Sequence, residues 1–371
     1  MRAFLVLAAL ITAAPFTLPA QAQWTIQTPT TADLRGIDNV GKGIAWASGT
    51  NGTVLRTEDA GYLWQRCTIP PNADHLDFRA IQAFDANTAI VMSSGPGDQS
   101  RLYKTTDGCQ TWKQIQRNAD PRGFWDAIVF NNLDAGIKEP DAGELVGDPV
   151  NGHFVVFSKM GPNWFKECSD PFAPSAHSQE SAFAASNSSV LIFGRRDFML
   201  ATGGVHGSRV IFFHEDLEPG SKDSVHFVQD AVNVPIASGA ESSGIFSLGK
   251  RDRQTIVAVG GDYLKPNDPT STAAFTSDGG KTWTTATTPP HGYRSAVAYD
   301  APTKTWITVG PNGTDISTDD GRNWRPLRPA NNDAPDADQH WNALSLPYAV
   351  GPHGRIGLLN PSALRPTSKN P

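Results

Sequence analysis

Cysteine is scarce in this sequence of 371 residues. There are three, Cys67, Cys109 and Cys168, enough for at most one internal disulfide. Charge is thin as well: 18% of residues are ionic, the formal net charge is -6, and Lys and Arg form no run. That balance argues against a nucleic-acid partner. The nine His residues are scattered with no pair at metal-ligand spacing. There is no His-Glu-x-x-His, no phosphate-cradling Gly loop and no Gly-x-Ser-x-Gly elbow, so neither metal nor cofactor is expected. His214-Glu215-Asp216 reads as a solvated loop. Beyond the first 22 residues no apolar run is long enough to span a bilayer. What is plentiful is 39% hydrophobic residues, sufficient for a large core, with 34 Gly and 28 Pro, the mark of many turns.

Residues 1–22 read as a signal peptide. Met1-Arg2 is a short positive start, residues 3–18 are almost wholly apolar, and Ala20-Gln21-Ala22 is a small-x-small cleavage signal. A transmembrane anchor is the competing reading, but the run is short for one. No Cys follows it, which argues against a lipoprotein. The expectation is a bacterial protein exported to the periplasm or medium, soluble and monomeric, with the fold over residues 23–363 and a flexible tail over 364–371. Export permits a disulfide.

Four segments share one pattern: Ser or Thr, any residue, Asp, Gly two positions on, and Trp five after the Asp. They are Thr57-Glu58-Asp59-Ala60-Gly61-Tyr62-Leu63-Trp64 and residues 105–112, 276–283 and 317–324. In the second, Cys109 stands where Gly is usual. A fifth, residues 158–164, is one residue short and has Met160 in place of Asp. The physics is structural. Asp59, Asp107, Asp278 and Asp319 can accept backbone N–H bonds inside a tight turn, and Gly supplies positive φ. Trp64, Trp112, Trp283 and Trp324 open the next strand and bury a large ring between sheets. The pattern resembles the Asp-box, or bacterial neuraminidase repeat, in which these Asp residues are structural rather than catalytic.

Each unit extends upstream of its turn. Opening strands are expected at residues 34–37, 78–81, 125–128, 181–183, 243–246, 293–296 and 341–344. Second strands ending in Gly are expected at 46–49, 90–95, 144–147, 199–203, 256–260, 306–310 and 348–351. The openings lie 44 to 62 residues apart. Seven four-stranded units at this period predict an all-β chain, a single seven-bladed β-propeller of antiparallel blades. The seventh unit lacks a fourth strand, and Trp24-Thr25-Ile26-Gln27 reads like the missing one. The N-terminus is therefore expected to complete the last blade and abolish a free sheet edge. Insertions at 138–144, 171–178 and 215–224 read as surface loops. Adjacent units favour a Cys67–Cys109 bridge.

In such a ring the strand openings and the second-to-third hairpin tips share one face. The repeat alignment places Arg35, Arg79, Trp125, Asp126, Glu180, Glu241, Tyr293, Arg294, His340, Trp341 and Asn342 at openings. It places Asp98, Asp148, His206, Asp262 and Tyr263 at tips. The binding candidates are Arg35, Arg79, Trp125, Asp126, Glu180, Asp262, Tyr263, Tyr293, Arg294 and Trp341. On a catalytic reading Asp126 and Glu180 act as acid and nucleophile or base on a glycoside. On the other, these charges pair among themselves and the aromatics offer a surface to a partner.

The units, such as Gly-Thr-Val-Leu-Arg-Thr-Glu-Asp-Ala-Gly at 52–61, resemble the photosystem II stability/assembly factor-like group. Phe78-Arg79-Ala80-Ile81 and Tyr293-Arg294-Ser295 resemble its arginine-bearing openings. That resemblance implies an exported, seven-bladed, non-enzymatic scaffold that binds a protein. Sialidases share the Asp-box more distantly. The chain lacks their Arg-Ile-Pro motif, and seven units do not match their six blades. The glycosidase reading, with a glycan as ligand, stands as the alternative.

Overall fold

Turn residues at positive φ cut the chain into short strands. Asn51 (φ 58°) and Gly52 (φ 65°) turn Ile44–Gly49 into Val54–Thr57. The computed structural model describes residues 23–131, 142–161, 163–166, 174–194, 197–217, 225–330 and 333–364. Among these there is no α-helix, and the strands form seven four-stranded antiparallel blades. The innermost strands, in chain order, are Leu34–Gly41, Phe78–Ala83, Trp125–Phe130, Val190–Gly194, Ser243–Lys250, Ala296–Asp300 and Ala343–Ser345.

The ring closes as the sequence predicts. Trp24–Gln27 pairs antiparallel with Ile356–Leu359, Trp24 opposite Leu359, and becomes the outer strand of the seventh blade. The apolar core divides into clusters that lie between neighbouring blades. Trp46, Phe78, Val91 and Tyr103 meet between the first and second, and Ile307, Trp341 and Leu359 between the sixth and seventh. Four of these seams hold a turn Trp: Trp112, Trp283, Trp324 and Trp64. Trp24 fills the corresponding place between the sixth and seventh blades. Each large buried ring stabilises its seam by about 2–3 kcal/mol.

The four Asp-centred turns share one hydrogen-bond scheme. The hydroxyls of Thr57, Thr105, Thr276 and Ser317 donate to Asp59, Asp107, Asp278 and Asp319 at 2.7–2.8 Å. Each Asp also accepts the backbone N–H four residues on, at 2.9–3.0 Å. Gly61, Gly280 and Gly321 take φ of 80–90°, and Cys109 takes 64° in their stead. These turns abut the first-to-second hairpins, for example Ala60 N–H to the Gly43 carbonyl, so they lie on the face opposite the strand openings. The fourth strands start one residue after each Trp, as in Gln65–Arg66 and Arg325–Pro326.

A disulfide joins Cys67 to Cys109, with Cα atoms 5.3 Å apart, and ties the first blade to the second. Cys168 lies outside the described residues, as do residues 1–22, read above as a signal peptide, and residues 365–371.

The fourth unit departs from expectation. Its inner strand is Val190–Gly194, not residues 181–183. Glu180–Ser181 forms a two-residue ladder with Gly203–Gly204, and Gly203 continues onto Gly244 of the fifth blade. A Cβ on Gly203 would sit 2.3 Å from Gly244 Cα, so only Gly permits that approach. Of the insertion at 215–224, residues 215–217 belong to the strand Ser208–Leu217, which pairs antiparallel with Val225–Val234, and residues 218–224 lie outside the described residues. Likewise residues 142–144 belong to the strand Ala142–Val150.

Candidate functional site at the channel mouth

Period-two alternation decides which opening residues see the channel. Trp125 turns into the seam between the second and third blades, fully buried edge-on to Phe157, and the next residue, Asp126, faces inward. Phe78 and Ala80 pack in seams in the same way and leave Arg79 at the mouth. Six blades and the connecting segment 181–185 contribute to one cavity of about 620 Å³. It gathers Arg35, Arg79, Asp126, Tyr263, Tyr293 and Trp341 from the predicted set, together with Asp148, Glu241 and Asn342.

The cavity has a floor. Residues 182–189, which lead from Glu180–Ser181 into the inner strand of the fourth blade, cross the channel. Arg79 donates to the Ala184 carbonyl at 3.4 Å, and Asn187 Oδ1 accepts the Ile128 N–H at 2.8 Å. Ser186 donates to the Ser295 carbonyl and Ser188 to Ser247 Oγ, both at 2.7 Å. The segment is Ala-Phe-Ala-Ala-Ser-Asn-Ser-Ser, small enough for the channel and polar enough to bind four other blades. The mouth is therefore a cup and not a pore.

One side of the cup is ionic. Asp77 sits between two guanidiniums: Arg79 Nε donates to it at 2.9 Å, and Arg35 Nε lies 3.8 Å away. Asp126 is 1% exposed, and its Oδ2 has no hydrogen-bond partner. Burial and the adjacent Asp148 push its pKa well above the carboxylate range, against the pull of Arg79. Burial likewise pushes Asp148 up to about 6, although the Ala182 N–H donates to it at 3.1 Å. The other side is aromatic. Phe183 stacks on Phe246 with centroids 4.0 Å apart, and Tyr293 and Tyr263 meet Phe246 edge-on at 4.8 and 6.0 Å. Tyr263 and the neighbouring Leu264 are 49% and 71% exposed at the rim.

Four predicted candidates are placed elsewhere: Trp125, which fills its seam, and three more. Arg294 is completely buried in the sixth blade, where it donates to Asp315, to the Tyr293 carbonyl and to Asn312. Glu180 is also buried. It takes a two-pronged contact from Arg209 at 2.6 and 2.7 Å, plus the Thr202 hydroxyl and the His177 N–H. These contacts outweigh burial and hold its pKa low. Asp126 and Glu180 therefore do not face one cavity as a carboxylate pair; Asp126 and Asp148 do. Asp262 caps its own tip through the Leu264 N–H and Lys265. Sequence reasoning missed Asp77, Phe183 and Phe246. The available signal for Asp77 was the recurring Asp-x-Arg at 33–35 and 77–79.

No group of three or more His, Cys, Asp or Glu side chains suited to a metal ion occurs among the described residues. No described helix is long and apolar enough to cross a membrane. No family model matches the chain, and no curated protein matches it. Its fold is similar to solved propellers. YCF48 bound to D1 peptide aligns at 16% identity and TM-score 0.56, covering 92% of this chain and 99% of that one. YCF48 from Cyanidioschyzon merolae aligns at 18% and 0.55, covering 92% and 100%. The WD40 β-propeller domain of Doa1 aligns at 10% and 0.56, covering 92% and 98%. At these identities the likeness establishes the fold.

Proposed function

We propose that this chain is an exported assembly or binding scaffold that holds a segment of a protein partner in the channel-mouth cup without turning it over. The observation that carries this reading is the cup itself: floored, open above, ionic on one side and aromatic on the other, with contributions from six blades and the segment 181–185. Tyr263 and Leu264 give it an apolar rim, and exposed aromatics beside arginines are the usual anchors of a protein contact. A solved propeller of the same overall fold is described as bound to a peptide, which is consistent with this use of the fold. The test is a photo-crosslinking residue at Tyr263, compared with one at Tyr62 on the opposite face, in the native exporting cell. Polypeptide adducts from position 263 alone are expected. Adducts from 62 alone, or from neither, overturn the proposal.

One observation favours the alternative, a glycosidase: Asp126 and Asp148 face the same cavity with raised pKa values. Sialosides and plant glycans separate the two readings. Cleavage by the parent protein that Asp126→Asn abolishes would establish the hydrolase.

A further inference from the structure

We infer that the carboxylate side of the cup receives a cationic side chain, an arginine guanidinium or a lysine ammonium, from the bound partner segment. This rests on reading the cup as a peptide site and names what that site selects. The unmet need is at Asp126. Its side chain is buried, borders the cavity, and leaves Oδ2 without a hydrogen bond. An unpaired buried carboxylate oxygen is costly, and Asp148 beside it adds repulsion.

The cations already present are committed. Arg79 holds Asp77 and the Ala184 carbonyl, and Arg35 also leans on Asp77. Around the mouth two arginines face four carboxylates, Asp77, Asp126, Asp148 and Glu241. An incoming anion would deepen the excess of negative charge, and a neutral group would leave the Asp126–Asp148 repulsion in place. A cation relieves both, through charge-assisted hydrogen bonds.

The aromatic side adds to this. In a seven-membered ring the fifth and sixth blades stand across from the second and third. Phe246, Tyr263 and Tyr293 therefore lie opposite the ionic wall, where aromatic rings attract a cation held between the walls. The exposed rim at Tyr263 and Leu264 favours a polypeptide source over a free amine, because flanking residues can cover it.

The experiment titrates the mature full chain with capped Gly-Gly-Arg-Gly-Gly, its lysine analogue, and the peptide with neutral citrulline in place of Arg. Agmatine is a fourth arm, as the free guanidine. At least one cationic peptide is expected to bind about tenfold or more tighter than the citrulline peptide, and tighter than agmatine. Asp126→Asn or Asp148→Asn should remove that discrimination, and two isosteric variants guard against misfolding of one. The inference is overturned if citrulline binds as well, if neither cationic peptide binds at about 1 mM, or if both variants keep the discrimination. Agmatine binding as tightly as the peptides overturns the polypeptide source. Loss here with crosslinking at Tyr263 intact sinks this inference alone; loss of the crosslinks sinks the wider reading.

Discussion

Arg79 and Arg294 both stand at strand openings but one residue apart in their repeats, and the fold treats the two arginines as opposite cases. Arg294, whose N–H reaches the Gly260 carbonyl as Trp341 N–H reaches Gly310 and Leu34 N–H reaches Gly351, takes the place of Phe78. Arg79 is about a third exposed at the cup; Arg294 is sealed in the sixth blade. The difference follows from alternation: the Phe78 position faces the seam and the Arg79 position faces the channel. Two residues before the turn hydroxyl, the sixth blade carries Asp315 and the second carries Tyr103. Asp315 draws Arg294 inward, and His291 joins the pair at 2.8 Å. Burial works to raise the Asp315 pKa, but these partners hold it low. In the second blade the same pair of positions holds Phe78 edge-on to Tyr103, and Arg79, the next residue, meets Asp77 at the mouth. The step of the repeat sets whether an arginine faces seam or channel; the neighbouring strand's side chain sets what it pairs with there.

Several changes sharpen or break that contrast. Deleting residues 23–28 removes the closing strand with Trp24, which stacks 5.0 Å from Trp341. It marks the ceiling, a loss of about 4 kcal/mol or more in urea unfolding. An unchanged midpoint would contradict closure. Arg294→Ala leaves Asp315 buried and unpaired and should cost about 3–5 kcal/mol. If it unfolds like the parent, the inward pairing is not what holds this arginine. Asp278→Ala tests a repeat-wide feature and should cost about 1–2 kcal/mol through lost turn acceptors, with the cup untouched.

Asp126→Asn should raise stability at neutral pH by about 1 kcal/mol, because a carboxylate disfavoured by burial and by Asp148 becomes a neutral amide. The raised native pKa means the folded state binds more protons than the unfolded state from about pH 4 upward through the native value. Parent stability attributable to this pair therefore falls as pH rises through that window, and the gain from Asn should shrink toward about pH 4. Asp278 acts in the other direction. Its hydroxyl and amide donors outweigh burial and hold it at about 2, so its contribution is complete above about pH 4 and is lost as pH falls from there through about 2. Thermal melts of parent and Asp126→Asn across pH check both signs. The smallest effect is Arg79→Ala, within about 1 kcal/mol for a part-exposed pair, while Tyr263 crosslinks weaken. A large stability loss there would place Arg79 with Arg294 after all.

The sequence by itself determined the architecture. Four Ser/Thr-x-Asp turns with a following Trp, seven Gly-ended second strands and an orphan Trp24 strand specify seven blades and their closure, because each signal is local or recurs at a fixed offset. Arg35, Arg79, Asp126, Tyr263 and Tyr293, read from the sequence as opening and tip residues, line one cavity, since the repeat and the alternation along a strand are readable from a single chain. Tertiary structure alone decided the rest. Glu180 is withdrawn by Arg209, 29 residues on, and the channel floor at 182–189 is set by bonds to four other blades. Whether a charged side chain remains at the mouth or is buried depends on the partner that reaches it, and such partners come from strands whose spacing carries no fixed period.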